Sequence, residues 1–493
     1  MTYPVFIFWL LFLRATVASE RTLFILLFTS FTFGALAVLP PELTGGSSFL
    51  PKTMFACLIV VRFVVIPLIY SPQRLIELLR LDHLGFLLAF LLISLITTMF
   101  MPRLFENAVD VIPLKFARFA SSEALTPTMA NMTQSIYLTI SVAATVGAAM
   151  ISRSPRFSDN LLTAIRIGGI VLLGSGLLDM LANAIGQADA LEPFKNASYA
   201  MITNAEIAGV RRVVGLMPEA SSYGSTCVSF IAMLAFCRPL YAPGWPRFTV
   251  SMTILALITM ALVSTSSSAY AGLAFFGAAY LLNLGRRMFG GSATSQIGLR
   301  LELTIGFLAI VVLLFVTITN PDVFDPLLRI VDEIIFNKAS SDSYMERTFW
   351  TQVSWSAFWS TYGLGVGLGG TRASNYFVAV ISNTGFLSSI CFFVFLLQVF
   401  FRRLPSCPKS REMIVALRFS ILPILGTAAL GSATPDFEAM LGVLFGAIMG
   451  LSLRQTKERA PQIVNNLDTQ AINSARDFRG EILDSHIWDV RTL

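Results

Sequence analysis

The chain is 493 residues long, 55% hydrophobic and only 13% charged, where a soluble domain carries about 25% charge. That balance excludes a soluble globular protein and a disordered one, and it fits about 12–13 apolar spans of roughly 20 residues each. The net charge of +6 is assigned to positive-inside loops and not to nucleic-acid binding, because the cations sit beside apolar runs.

The first apolar segment, 4–13, lacks the cationic leader and the small-residue cleavage site of a signal peptide. It is expected as a short first span or an interfacial helix. Spans follow at about 22–39, 53–71, 84–101, 133–151, 163–185, 223–239, 248–265, 268–284, 303–319, 376–401, 413–431 and 437–453. Cations punctuate alternate connections: Arg74 and Arg80, Arg153 and Arg156, Arg238 and Arg247, Arg286, Arg287 and Arg300, then Arg402, Arg403, Lys409 and Arg411. These connections are placed in the cytoplasm. Connections 40–52, 102–132, 186–222, 264–268, 320–375 and 432–436 then face outward, the large loop 320–375 among them. Residues 1–453 form the membrane domain, and the polar stretch 454–493 is read as a cytoplasmic tail. The five cysteines show no paired spacing, so neither a structural disulfide nor a metal site is expected.

Four outward motifs carry chemistry. Arg211-Arg212 precedes Gly215, Glu219 and Ser221 at the mouth of a span. Adjacent arginines on the outer side are not explained by the positive-inside rule, and a guanidinium is a planar fork suited to phosphate oxygens. Glu219 is the expected general base. An ordinary salt bridge to Glu206 or Glu219 is the plainer alternative for either arginine. Next comes a hydroxyl-rich turn, Ser264-Thr265-Ser266-Ser267-Ser268, which either lines a polar cavity or is a simple tight loop.

In the large loop, Trp355, Phe358, Trp359 and Tyr362 follow helical spacing. They predict an amphipathic helix with an aromatic face, an interfacial anchor or a sugar-stacking surface. Arg347 near its start suggests an anionic partner, since a helix N-terminus does not favour a cation. Gly363, Gly365, Gly367 and Gly369 alternate ahead of Arg372 and Asn375. This run is read as a phosphate cradle or a hinge, and it is not a nucleotide P-loop. Arginine, glutamate, hydroxyls and glycine on one side fit a lipid-linked pyrophosphate, which is anionic, membrane-anchored and carries its own leaving group.

The motif order resembles the O-antigen polymerase/ligase superfamily of membrane glycosyltransferases, across roughly residues 50–453. Arg212-x-x-Gly215 and Glu219-x-Ser221 match its first motif. The turn Ser264-x-Ser266-Ser267 matches its serine motif without the usual following arginine, for which Arg372 is a candidate substitute. Arg347, Trp350, the alternating glycines, Asn375 and Asn383-x-Gly385 match the large loop and the span after it.

The resemblance implies a GT-C-like all-α fold in the bacterial inner membrane, multi-pass, with the active site facing the periplasm. It implies a metal-independent enzyme without cofactors that polymerises undecaprenyl-pyrophosphate-linked oligosaccharide repeat units into a surface polysaccharide. Glu219, Arg212 and Arg347 would be catalytic, and Arg211, Ser221, Ser266, Arg372 and Asn375 would bind substrate. Membrane lipid, a flippase and a chain-length regulator are the partners it implies. The alternatives are a ligase relative and a transporter. Ligases typically place a histidine in the outer loop, whereas His83 and His486 lie on the other side by this reading. Transport would call for more acidic residues within the spans than Asp179 and its few companions, and no inverted repeat is visible.

Overall fold

A computed structural model describes residues 2–40, 42, 44, 47–114, 121–198, 201–202, 206–207, 210–290, 298–319 and 342–453. The tail 454–493 and loop residues 320–341 lie outside them. The chain is an all-α, multi-pass membrane protein. Its helices are α1 Tyr3–Val17, α2 Glu20–Ser30, α3 Pro51–Tyr70, α4 Gly85–Leu104, α5 Met129–Ile151 and α6 Phe157–Ala184. After these come α7 Ala220–Leu240, α8 Trp245–Val263, α9 Ser267–Gly290, α10 Leu299–Thr319, α11 Asp342–Ser360, α12 Tyr376–Phe401, α13 Pro408–Ala429 and α14 Glu438–Leu453.

Among the described residues, nine helices are long and apolar enough to cross a membrane, fewer than the 12–13 spans expected. The other four expected segments are helical in whole or in part. α1 has 15 residues, about 22 Å against a hydrocarbon core of about 30 Å. α14 is likewise apolar but short, and α10 has 21 residues.

The expected span 22–39 is corrected. Ser19 caps α2 by accepting from the Thr22 amide at 3.3 Å, and the helix ends at Ser30. Beyond Gly34 the backbone bonds elsewhere. The Ala35 amide donates to the Leu216 carbonyl at 3.1 Å, and the Ala37 amide to Asn196 Oδ1 at 2.7 Å. Residues 31–40 therefore leave the helix and pack at the end of the bundle beside Leu216 and Asn196.

α7 is the central helix and packs against α6, α8, α9 and α13. Outside it, α4 packs on α12, and α3 on α5. In lipid, helices associate through close packing and small residues. Gly442, Gly446 and Gly450 form a ladder along α14. A Cβ at Gly446 would stand 2.2 Å from the Thr145 carbonyl oxygen, and one at Gly450 2.3 Å from that of Ala149. The backbones of α14 and α5 touch along this seam, and it places the start of α14 beside Ser141.

α12 is broken at Gly385, whose φ of 79° and ψ of 175° are not helical. The alternating glycine run of 363–369 fills the break. Val366 and Gly367 amides donate to the Ser382 and Asn383 carbonyls, each at 2.9 Å, and Phe386 to the Gly363 carbonyl at 2.8 Å. A Cβ on Gly385 would sit 2.2 Å from the Leu364 oxygen. Non-helical backbone within a membrane helix is thus satisfied by protein, as it must be where water is absent. This corrects the phosphate-cradle reading. Further amides of the run are held by Thr361 Oγ1, Thr98 Oγ1 and the Gly367 carbonyl, so the run is a structural seam.

The bundle has two distinct ends. Arg153 meets Glu77, Arg286 meets Glu412, Arg238 meets Glu302, Lys409 meets Asp159, and Arg402 donates to the Asp82 carbonyl. These contacts join the connections predicted cytoplasmic. Described residues of five of the connections predicted outward meet away from these contacts, where they line a cavity.

Candidate functional site

The cavity has a volume of about 440 Å³, the scale of a small-molecule site. Five of the six connections predicted outward contribute to its wall: Lys52, Glu219 with Ser221, Ser268, Arg347, and Asp436 with Glu438. Below these, Ser222, Ser225, Thr226 and Ser229 of α7 line its floor. Their spacing puts the hydroxyls on one helix face, descending about 10 Å along the axis. Thr226 and Ser229 donate to carbonyls four residues back, which leaves their oxygen lone pairs to accept.

Helices α3, α7, α9, α12 and α14 all begin at this end, with Lys52, Glu219, Ser268, Tyr376 and Glu438 at or beside their first residues. Helix N-termini carry partial positive charge and bare amides, which favours anions.

Glu219 stands at the N-cap position of α7 in extended conformation, without a side-chain cap bond to the helix. Its Oε1 accepts from the Ser221 hydroxyl. Arg212 lies close enough for the two charges to act on one another, and its Nε donates to the Ser264 carbonyl at 3.3 Å. Burial draws the Arg212 pKa below its ordinary value, the Glu219 charge opposes this, and Arg347 adds to it. The guanidinium stays protonated throughout.

Asp179 fixes the loop that carries Arg212. Its Oδ2 accepts from the Val214 and Gly215 amides at 2.8 and 3.0 Å, and Asn183 Nδ2 donates to its Oδ1 at 3.2 Å. Gly215 has φ of 60°, and a Cβ there would meet Ser175 and Tyr223 at 3.0 Å. The Arg-x-x-Gly spacing therefore has a mechanical cause: glycine turns the backbone so that a buried carboxylate can hold it.

Arg372 stacks over the Trp350 ring, 3.7 Å from the centroid. Burial lowers its pKa, Glu346 opposes the change, and the charge of Arg347 adds to it. Its Nε is buried without a hydrogen-bond partner among the described residues. Arg212, Arg347 and Arg372 thus form a run of like charges with Arg347 between, and no carboxylate of the described residues lies within ion-pair distance of any of them.

The structure brings Glu219, Ser221 and Arg347 to the cavity wall and Arg212 beside it. It does not bring the rest. Asn375 caps α12, its Oδ1 accepting from the Phe377 and Val378 amides at 3.0 and 3.2 Å, so its side chain is committed to the helix. Ser266 is buried to 1% exposure, packed beside Gly224, and Ser268 faces the cavity in its place. Arg211 lies in a short hairpin opposite Glu206, off the lining.

Lys52, Asp436 and Glu438 were not singled out from the sequence. Lys52 Nζ pairs with Glu438 Oε2 at 2.6 Å. Asp436 Oδ1 accepts from the Glu438 amide at 3.2 Å. The signal that finds the two carboxylates is their place in Thr434-Pro435-Asp436-Phe437-Glu438, a turn between two apolar helices.

No family model matches the chain, and no curated protein matches it.

Proposed function

We propose that the protein is a metal-independent membrane glycosyltransferase of the polysaccharide-polymerase type, with its cavity on the periplasmic side of the inner membrane. It joins undecaprenyl-pyrophosphate-linked oligosaccharide repeat units into a surface polysaccharide. A GT-C-like classification belongs to this proposal. The observation that carries it is the meeting of Glu219, Ser221 and Arg347 in one hydroxyl-lined cavity, from chain segments more than a hundred residues apart, with Arg212 adjacent.

The chemistry follows from the charges. Arg347 and Arg212 hold the pyrophosphate, and their charge, in no ion pair among the described residues, stabilises the negative charge that grows on it as it leaves. Preorganised donors in such a role contribute about 10²–10³-fold each. The α7 hydroxyls accept hydrogen bonds from sugar hydroxyls. A cavity carboxylate receives the proton of the attacking hydroxyl. The engagement of Asp179 with backbone amides also weighs against transport, since the carboxylate offered for ion coupling is committed to holding a loop.

The test is complementation of a deletion strain, with polymer length read on a gel at matched protein levels. Wild type restores long chains, while Arg212→Ala and Arg347→Ala leave single repeat units. Variants indistinguishable from wild type would overturn the reading.

A further inference from the structure

In a direct displacement at a sugar's anomeric carbon, the incoming hydroxyl and the departing group lie on opposite faces of the ring. The group that takes the hydroxyl's proton therefore belongs to a part of the cavity away from the arginines that hold the pyrophosphate. Glu219 does not meet this condition, because it shares its surroundings with Arg212.

Asp436 meets it. It lines the same cavity, but the side chains that face it come from other elements. Lys52 approaches from α3, Ser141 and Tyr137 from α5, and Glu438 from the start of α14. Tyr376 of α12 donates to the neighbouring Pro435 carbonyl at 3.3 Å. None of these neighbours is an arginine. The Lys52–Glu438 pair occupies the nearest cation, so Asp436 is left without an ion-pair partner among the described residues.

We propose that Asp436 is the proton acceptor for the incoming sugar hydroxyl, an inference that rests on the glycosyl-transfer reading above. The hydroxyl's O–H bond breaks and its proton passes to an Asp436 carboxylate oxygen. The oxygen's electron pair forms the new bond to the anomeric carbon. The bond from that carbon to the pyrophosphate oxygen breaks, and its electron pair leaves with the pyrophosphate. Glu219 then orients groups on the arginine side, with Ser221.

The local environment agrees. Burial pushes the Asp436 carboxyl up to about 6, the Glu438 charge adds to the rise, and the Ser141 hydroxyl, the Glu438 amide and Lys52 act against it. Such a group is ionised at neutral pH and still basic enough to accept a proton in a transition state.

The experiment measures chain growth from pH 5 to 8 in membranes holding wild type, Asp436→Asn, Asp436→Glu, Glu219→Gln or Arg347→Ala at equal levels. The probe is the host's own lipid-linked repeat units. Asp436→Asn is expected to slow growth by about 10²–10⁴-fold, with partial recovery in Asp436→Glu. Because the ionised form is the active one, the wild-type rate falls as pH drops through about 6.

The wild-type profile needs no variant to fold, and a rate flat from pH 5 to 7 overturns the assignment. So does an Asp436→Asn rate within threefold of wild type, or a pH dependence that vanishes in Glu219→Gln. If Arg347→Ala is inactive in those cases, the transfer reading stands without Asp436. If Arg347→Ala matches wild type, the transfer reading itself fails.

Discussion

At the basic end of the bundle, Arg153 reaches Glu77 at 3.3 Å and Arg287 reaches Glu302 at 2.6 Å. Arg418 donates to the Val399 and Arg402 carbonyls at 2.8 and 2.6 Å. At the cavity end, Arg212, Arg347 and Arg372 push against one another, and the described residues offer them no ion pair. The same side chain plays two parts. Paired, it staples helices and neutralises charge, and removing one partner strands the other. Beside a cavity and without an ion pair among the described residues, it leaves its charge available to an anion, as the proposed function requires. Arginine count alone does not separate these parts; the position of the carboxylates does.

The sharpest way to break this comparison is to remove one arginine from each end. Arg347→Ala is expected to lower polymer formation by about 10²-fold or more with normal protein level. Arg153→Ala is expected to lower protein level and leave chain length unchanged. Chain-length gels with immunoblots on the same membranes check both, and equal effects at the two ends would erase the distinction.

A second test sharpens how the cavity arginine is held. Asp179→Ala removes the acceptor of two buried amides, each worth about 1–3 kcal/mol when orphaned. It is expected to reduce both folded yield, read by size-exclusion fluorescence, and polymer formation. Asp179→Asn, which keeps an acceptor oxygen, loses less of each.

Gly385→Ala comes next. Strain at positive φ costs about 1–3 kcal/mol, and the clash with the Leu364 carbonyl adds to it. A lower melting temperature in detergent is the expected result. The smallest effect belongs to Asn375→Ala, a loss of about 1 kcal/mol from one helix cap. Its polymer length should remain normal once protein levels are matched, and shortened chains would restore Asn375 to the binding site.

The membrane helices were legible in the sequence because apolar length is a strong local signal. The residues 31–39 misled because they are as apolar as a span, while their backbone partners, Leu216 and Asn196, lie far along the chain. Glu219 stood out because a charge at the mouth of an apolar run is conspicuous, and Arg347 because a cation near a helix N-terminus runs against the dipole. Asp436 and Lys52 did not, since a short turn and a helix start look ordinary until folding sets them around one space. The α7 hydroxyls were in plain view at 222, 225, 226 and 229, though periodic serine in a span reads equally as helix packing. Asn375 and Ser266 entered as ligand contacts through the resemblance, which matches residue types in order without showing what already holds each side chain.

The glycine ladder of α14 bears on how this protein can change over generations. Rotating α14 by one residue would drive a side chain into the α5 backbone at Thr145 or Ala149. The register of that seam is therefore discrete, and Asp436, two residues before the helix, inherits its position from it. The hydroxyl face of α7 has no such constraint, because exchanging one of its hydroxyls alters the cavity without moving a helix. Variation is expected to collect on α7, where it would retune what the cavity accepts, and to be sparse along the ladder.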